Sequence, residues 1–223
     1  MAVMHARTNT PSRADRQGAA KTEALVTAAR ALAPVLTERA PQAERDRQVS
    51  DATIAAIADA GIFQMLTPQR FGGPELGLRD FVSVMKELSP LCASTGWLTS
   101  FYIAHNWMWC LLPLEAQQEI FAGGPSALGP VMVAPTVTAT PVEGGYRING
   151  RAKWATGSSH ASWCMVSGIV KGGSGAPAIL MFAMPWSEAR VVDTWFTAGM
   201  AATASNDVEF DNVFVPERRT LDV

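Results

Sequence analysis

The sequence is poor in the residue types that mark several common classes of protein. Its 223 residues include only three cysteines and three histidines. The cysteines are odd in number and far apart, which excludes a disulfide framework and a CxxC metal site, so buried and unreactive thiols are expected. The histidines lie at no ligand spacing from Cys, Asp or Glu, so no metal site is predicted.

Excess charge and long apolar runs are also lacking. The sequence has eighteen basic and twenty acidic side chains, so its formal net charge is −2. A basic surface for nucleic acid is therefore not expected. No apolar run approaches the roughly 18 residues of a membrane helix, and the chain start has no apolar signal core. We expect no membrane association and a cytoplasmic location. Without a GxGxxG, GxxxxGK[ST] or GxSxG motif, a Rossmann site and a hydrolase elbow are disfavoured.

Apolar residues, 48% of the chain, carry a helical period in the first half. Residues 1–20 show no period and are predicted to be a mobile N-terminal arm. An N-terminal helical domain is predicted over 21–124, with a kink at Pro34. Its helices are predicted over 21–39, from Ser50 to Gly61, over 78–88, from Ser94 or Thr95 to about Leu112, and from Pro113 to Gly123.

After Gly124 the sequence becomes rich in Val and Thr, with short segments between Gly and Pro turns. Gly144-Gly145 predicts a hairpin, and Asn149-Gly150 predicts a turn after a short strand. A middle β domain is expected over 125–223, as an antiparallel barrel or sandwich. The predicted fold class is thus α+β, an all-α domain followed by an antiparallel β domain. The predicted strands cover 128–140, 146–148, 163–170, 178–184, 190–193 and 207–215.

Aromatic usage is skewed, with seven Trp against two Tyr. Trp97, Phe101 and His105 follow one another at intervals of four residues, so they share one face of a helix. A histidine at the end of such a stripe is more often a core residue with its hydrogen bonds satisfied. The alternative is an aromatic slot for a planar ligand, with one titratable group at its end.

A second cluster runs from Lys153 to His160. Here Trp154 is followed within a few residues by small and hydroxyl-bearing side chains, which offer a flat apolar surface beside hydrogen-bond donors. An ordinary strand end followed by a Thr/Gly/Ser turn would show the same pattern of residues. Trp97 and Trp154 are therefore candidate walls of one cleft, and the other five tryptophans are interpreted as packing residues.

Four segments together resemble one known family. They are Asp59–Phe63 leading into Pro68–Gly73, then Ser94–Trp97, then Trp154–Gly157, and last Asp207–Pro216. From about Lys21 onward the chain resembles the acyl-CoA dehydrogenase superfamily. Within it, the chain is similar to the oxygenase components of two-component flavin-dependent monooxygenases.

The resemblance implies an enzyme that takes reduced FMN or FAD from a separate flavin reductase. With O2 it would hydroxylate an aromatic or planar small molecule, and the protein would be a homo-oligomer. It implies that Trp154 flanks the flavin ring and that the Thr156 hydroxyl lies near N5. His105 and Thr156 would be catalytic, and Trp97, Phe101 and His105 would bind substrate. The implied cofactor contacts are Ala134, Pro135, Thr136, Trp154, Thr156, Gly157 and Ser158.

Two alternatives stay open. One is an acyl-CoA dehydrogenase, which holds oxidised FAD and oxidises a thioester. The other is a truncated, non-catalytic remnant or interaction module, because the relatives continue into a C-terminal four-helix bundle that this sequence lacks. Val137 and Ala201 also stand where relatives usually carry Gly and Arg.

Overall fold

The computed structural model describes residues 13–172 and 178–222, and in them helices precede strands. The predicted α+β fold class is confirmed. The helices are α1 Arg13–Ala31, α2 Ala33–Asp46, α3 Asp51–Asp59, α4 Leu78–Leu88, α5 Ala93–Trp109 and α6 Leu114–Ile120. The strands are β1 Val131–Val142, β2 Gly145–Ala155, β3 Trp163–Val170, β4 Ile179–Pro185, β5 Arg190–Val192, β6 Asn206–Pro216 and β7 Thr220–Asp222. None of the described helices has the length and apolarity to cross a bilayer.

The first predicted helix is divided in two. Pro34 lies in the first turn of α2, where its missing N–H costs nothing, and α1 ends just before it. Because α1 begins at Arg13, residues 13–20 are helical rather than part of the predicted arm. Residues 1–12 of that arm lie outside the described residues. The predicted N-cap of α3 is confirmed, since the Ser50 side chain accepts a hydrogen bond from the Thr53 amide.

Helix α5 lies at the centre of the molecule and buries large side chains, including Tyr102 and Trp109. The predicted cap at Ser94 or Thr95 is wrong, because the helix begins at Ala93 after Cys92, which makes no side-chain capping bond. The short polar residues of this first turn make hydrogen bonds other than the predicted capping bond. The Ser94 hydroxyl donates to the Glu44 carboxylate of α2.

The strands form one open sheet within the described residues, in the order β5-β6-β2-β1-β3-β4-β7. Every pairing is antiparallel except β1 with β3, which is parallel. The Gly144-Gly145 hairpin joins β1 to β2 as predicted. The predicted turn at Asn149-Gly150 is wrong, because β2 continues through Gly150 as far as Ala155.

The three thiols are unbridged, as expected. Cys92 and Cys164 are buried, and burial raises the pKa of the half-buried Cys110 to about 11. A raised pKa keeps the Cys110 thiol protonated near neutral pH, which agrees with an unreactive thiol, although Cys110 is only partly buried where full burial was expected.

Candidate functional site

Beside α5, strand β1 leaves the sheet and forms the first wall of a cleft. β1 pairs with β3 at Met132 and again at Val137, while β3 advances only from Val166 to Gly168. The intervening residues of β1 have no strand partner and are exposed. Val133, Ala134 and Thr136 of this stretch line the cleft.

A bulge in β2 forms the second wall. Between Ala152 and Ala155 the partner strand β6 advances by one residue fewer than β2. Regular alternation would place Trp154 on the same face as the buried Ala152. Instead Trp154 adopts a left-handed φ of 62° and 65% of its side chain is exposed. Bulges commonly re-aim a side chain in this way, and here the indole lines the cleft.

The cleft has a volume of about 660 Å³ and is mostly apolar. Three tryptophans from distant parts of the chain line it: Trp97 of α5, Trp154 of β2 and Trp195 from the segment after β5. Ligand pockets of proteins typically measure about 300–1,000 Å³. The cleft therefore has the size and the flat aromatic walls for a planar ligand of several rings.

Three hydroxyl groups form one polar side of this cleft. Thr156 Oγ1 lies 2.9 Å from Ser205 Oγ, which lies 2.8 Å from Thr203 Oγ1. Thr203 Oγ1 in turn donates to the Met200 carbonyl at 2.9 Å. All three hydroxyl-bearing residues are at most 5% exposed, yet each lines the cleft.

Gly157 and Ser158 do not line the cleft but hold the strand end that carries Thr156. The Gly157 carbonyl accepts a hydrogen bond from Tyr102 Oη of α5 at 2.6 Å, and its amide donates to the Thr203 carbonyl at 2.9 Å. Ser158 Oγ donates to the Ala204 carbonyl at 2.8 Å. Burial raises the pKa of Tyr102 far above its ordinary value, so its hydroxyl stays a donor.

The row of rings predicted on α5 is formed. The ring centroids of Trp97 and Phe101 are 4.8 Å apart, and those of Phe101 and His105 are 5.3 Å apart. His105, however, is only 5% exposed and stands behind Phe101, outside the cleft lining. Its Nδ1 lies 2.7 Å from the Gly129 carbonyl, which can only accept, so Nδ1 carries the hydrogen. Burial lowers the pKa of His105 to about 4, so the ring is neutral at pH 7.

The structure brings together most of the predicted cofactor contacts. Ala134, Thr136, Trp154 and Thr156 all line the cleft, whereas Pro135 is exposed on the same stretch without lining it. Eight lining residues are outside the predicted set, four of them on β1 and β2 and four between β5 and β6. The first four are Val131, Met132, Val133 and Lys153, and the other four change the picture of the cleft most. These are Trp195, Met200, Thr203 and Ser205.

Trp195 was interpreted as a packing residue, and the cleft position corrects that interpretation. No period or motif marks its segment; the only sequence signals were the excess of tryptophan and the two hydroxyl residues around Ala204. Val137 and Ala201, the two positions at which the resemblance implies a departure, lie outside the lining. Val137 is fully buried in the sheet, and the Ala201 amide donates to the Glu44 carboxylate at 2.8 Å. Within the described residues, no three His, Cys, Asp or Glu side chains cluster as metal ligands.

Comparison with known proteins places the chain in a family. Residues 19–119 match the family described as "Acyl-CoA dehydrogenase, N-terminal domain". A pigment production hydroxylase of Rhodococcus sp. (strain ATCC 21145) is 44% identical over 190 residues, which cover 85% of this chain and 49% of that protein. The chain belongs to the acyl-CoA dehydrogenase superfamily.

Two further proteins resemble the chain over most of its length. The oxygenase component of an FADH(2)-dependent resorcinol hydroxylase of Rhizobium sp. (strain MTP-10005) is 35% identical over 191 residues, 85% of this chain and 47% of the relative. The structure of XiaF from Streptomyces sp. in complex with FADH2 and glycerol matches with a TM-score of 0.88 at 31% identity, over 93% of this chain and 52% of XiaF. The chain spans about half the length of the curated relatives it matches.

Proposed function

We propose that the cleft binds reduced FMN or FAD supplied by a separate flavin reductase, and that the bound flavin and O2 hydroxylate an aromatic or similarly planar small molecule. The observation that carries the proposal is an apolar cleft walled by Trp97, Trp154 and Trp195, with the Thr156 hydroxyl on its polar side. The names of the similar proteins support it, since they describe hydroxylases and an oxygenase component.

The residues present fit a flavin. The isoalloxazine ring has two flat faces and a polar edge, and the cleft offers flat indoles beside a row of hydroxyl groups. The Trp154 side chain is 65% exposed, a large apolar surface that a stacked ring would cover. When bound, reduced flavin supplies the electrons that activate O2.

The side chains of the chain itself bind, orient and exclude water in this proposal. Trp154 would pack against one face of the ring, and Thr156 would hydrogen-bond its polar edge near N5. The loop of Ala134, Pro135 and Thr136 would close over the same edge. Apolar walls matter here because water entering the cleft would divert the oxygen chemistry from the substrate.

The aromatic residues of α5 would receive the substrate. Trp97 and Phe101 offer ring faces for stacking an aromatic molecule. His105 would act through Phe101, because its ring packs edge-on against Phe101 at 5.3 Å and its Nδ1 is engaged by Gly129. We thus propose that His105 holds Phe101 in position against the substrate.

The partners of the protein also belong to the proposal. An oxygenase component receives its electrons from another protein, so we propose a reductase that releases reduced flavin into solution. We further propose a homo-oligomer, supported by large apolar side chains exposed near the junction of α5 and α6. These are Trp107, Leu111 and Leu114, each more than 40% exposed.

An anaerobic titration tests the proposed function. Reduced FMN or FAD should quench tryptophan fluorescence, and admitting O2 with a reductase and a panel of phenols should yield hydroxylated product. Trp154→Ala should weaken flavin binding, whereas Phe214→Ala, which removes an exposed aromatic ring outside the cleft, should leave it unchanged. Tight binding of oxidised FAD that acyl-CoA reduces would support the acyl-CoA dehydrogenase alternative. Failure to bind any flavin would support the non-catalytic alternative and refute the proposal.

A further inference from the structure

The three hydroxyl groups beside the cleft form a chain whose hydrogen-bond direction is fixed by its last member. The Met200 carbonyl can only accept, so Thr203 Oγ1 uses its single hydrogen in the bond to that oxygen. The 2.8 Å contact between Ser205 and Thr203 must then be donated by Ser205. The 2.9 Å contact between Thr156 and Ser205 must, for the same reason, be donated by Thr156.

The direction of this chain decides what Thr156 offers to a ligand. Its hydrogen is turned toward Ser205, so lone pairs of Oγ1 are all that it can present to the cleft. Thr203 and Ser205 are 1% and 3% exposed, so water competes little for their hydrogens. In such low-dielectric surroundings hydrogen bonds are strong and an unmade bond is costly. All three hydroxyl groups are therefore expected to donate in the same direction, toward the Met200 carbonyl.

The acceptor at the end of the chain is itself fixed. Trp195 Nε1 also donates to the Met200 carbonyl, at 3.0 Å. The turn that follows is held from α2, because the Glu44 carboxylate accepts hydrogen bonds from the Ala201 and Ala202 amides at 2.8 and 3.4 Å. The carbonyl therefore cannot turn away without breaking bonds to two other parts of the molecule.

We propose that Thr203 and Ser205 are positioning residues that fix the Thr156 hydroxyl as a hydrogen-bond acceptor toward the cleft, so that the site favours flavin with a hydrogen on N5 over oxidised flavin. Reduced flavin carries that hydrogen, and oxidised flavin has a lone pair there instead. Two facing lone pairs cannot form a hydrogen bond. The inference rests on the proposed function, because it requires flavin N5 to lie near Thr156.

The test is the ratio of two dissociation constants, measured anaerobically for oxidised and for reduced FMN by tryptophan fluorescence. Ser205→Ala removes the acceptor of Thr156, whose hydrogen can then turn toward the cleft and bond N5 of oxidised flavin. The oxidised-to-reduced ratio should therefore fall about fivefold, the effect of one neutral hydrogen bond. Thr203→Val should act in the same direction, because it frees Ser205 to donate to Thr156.

Two variants serve as matched controls. Thr203→Ser keeps the hydroxyl and should retain the wild-type ratio. Thr99→Val removes a buried hydroxyl of α5 that has no hydrogen-bond partner among the described residues, and it should also leave the ratio unchanged.

The outcomes separate this inference from the proposed function. A wild-type ratio in both Ser205→Ala and Thr203→Val would overturn it, and so would an equal loss of affinity for both redox states, which a purely structural role predicts. In either case flavin binding itself, and with it the proposed function, would stand. A wild-type protein that binds no reduced flavin would overturn both.

Discussion

At the scale of single residues, burial sets the chemistry of His105. The pKa of its ring falls from 6.5 to about 4 because burial penalises the charged form. The unfolded chain therefore binds more protons than the folded one between about pH 4 and 6.5. The contribution of His105 to the free energy of unfolding is therefore fully present above pH 6.5 and is lost as the pH falls through about 4. The whole contribution is about 3 kcal/mol.

The variant His105→Asn tests this linkage. Asparagine places an amide donor near the Gly129 carbonyl but does not titrate in this range. Between pH 7.5 and pH 5 the titration of His105 should lower the unfolding free energy of the wild type by about 2 kcal/mol. The decrease in the variant should be smaller than the decrease in the wild type by about the same 2 kcal/mol. Urea unfolding at the two pH values measures the difference. Equal losses in the two proteins would show that His105 is not held neutral by the fold.

Gly157 is a second residue whose surroundings restrict it, because they leave no room for a side chain. Its φ is 78°, and a Cβ there would lie 2.4 Å from Tyr102 Oη. Gly157→Ala should therefore destabilise the protein by about 2–4 kcal/mol, through backbone strain and overpacking together. Loss of the Tyr102 bond should also displace Thr156 and weaken flavin binding.

Gly144 provides a matched control, because its φ is 75° but a Cβ would meet nothing within 4 Å. Gly144→Ala should cost only the strain of a left-handed backbone, about 1 kcal/mol. Thermal unfolding of the two variants compares them directly. Equal losses would mean that the close approach of Tyr102 contributes nothing.

At the scale of elements, α2 holds the segment that carries Trp195 and the hydroxyl residues. Glu44 of α2 accepts hydrogen bonds from the Ala201 and Ala202 amides, while Arg47, the residue that follows α2, donates to both oxygens of Asp193 at 2.8 and 2.7 Å. Helix α2 belongs to the helical part of the chain and this segment to the β part. The two contacts thus fix one wall of the cleft from across the fold.

Glu44→Gln removes the charge but keeps the shape of this contact. We expect a loss of about 1–3 kcal/mol in unfolding free energy, since hydrogen bonds to a charged group are the stronger kind. Amide hydrogen exchange at Ala201 and Ala202 should become faster. Glu38→Gln, an exposed position on the same helix, should change neither. Unaltered exchange at Ala201 and Ala202 in Glu44→Gln would contradict the role given to Glu44.

Elements with a local cause could be predicted from the sequence. The break at Pro34, the cap at Ser50 and the Gly144 hairpin each depend on neighbouring residues alone. The predicted turn at Gly150 failed because Gly150 stands within a strand opposite Val137, and that pairing is set by tertiary contacts. The cap at Ser94 failed because its hydroxyl bonds Glu44, fifty positions away.

At the scale of the whole molecule, the cleft exists because four segments meet: α5, β1, β2 and the segment between β5 and β6. Trp97 and Trp154 could be named from their local patterns, but Trp195 could not, since nothing near it in the sequence shows where its segment packs. The hydroxyl chain is equally non-local: Thr156 and Ser205 are 49 positions apart. Local patterns thus predicted lining residues on α5 and β2, and the lining residues between β5 and β6 required the fold.

A crystal structure of the chain, grown or soaked anaerobically with reduced FMN, would show whether the flavin ring lies in the cleft. We expect isoalloxazine density with one face on Trp154 and N5 about 3 Å from Thr156 Oγ1, a hydrogen-bond distance. A ring bound elsewhere on the molecule, or a cleft with no ring density at saturating reduced flavin, would contradict it.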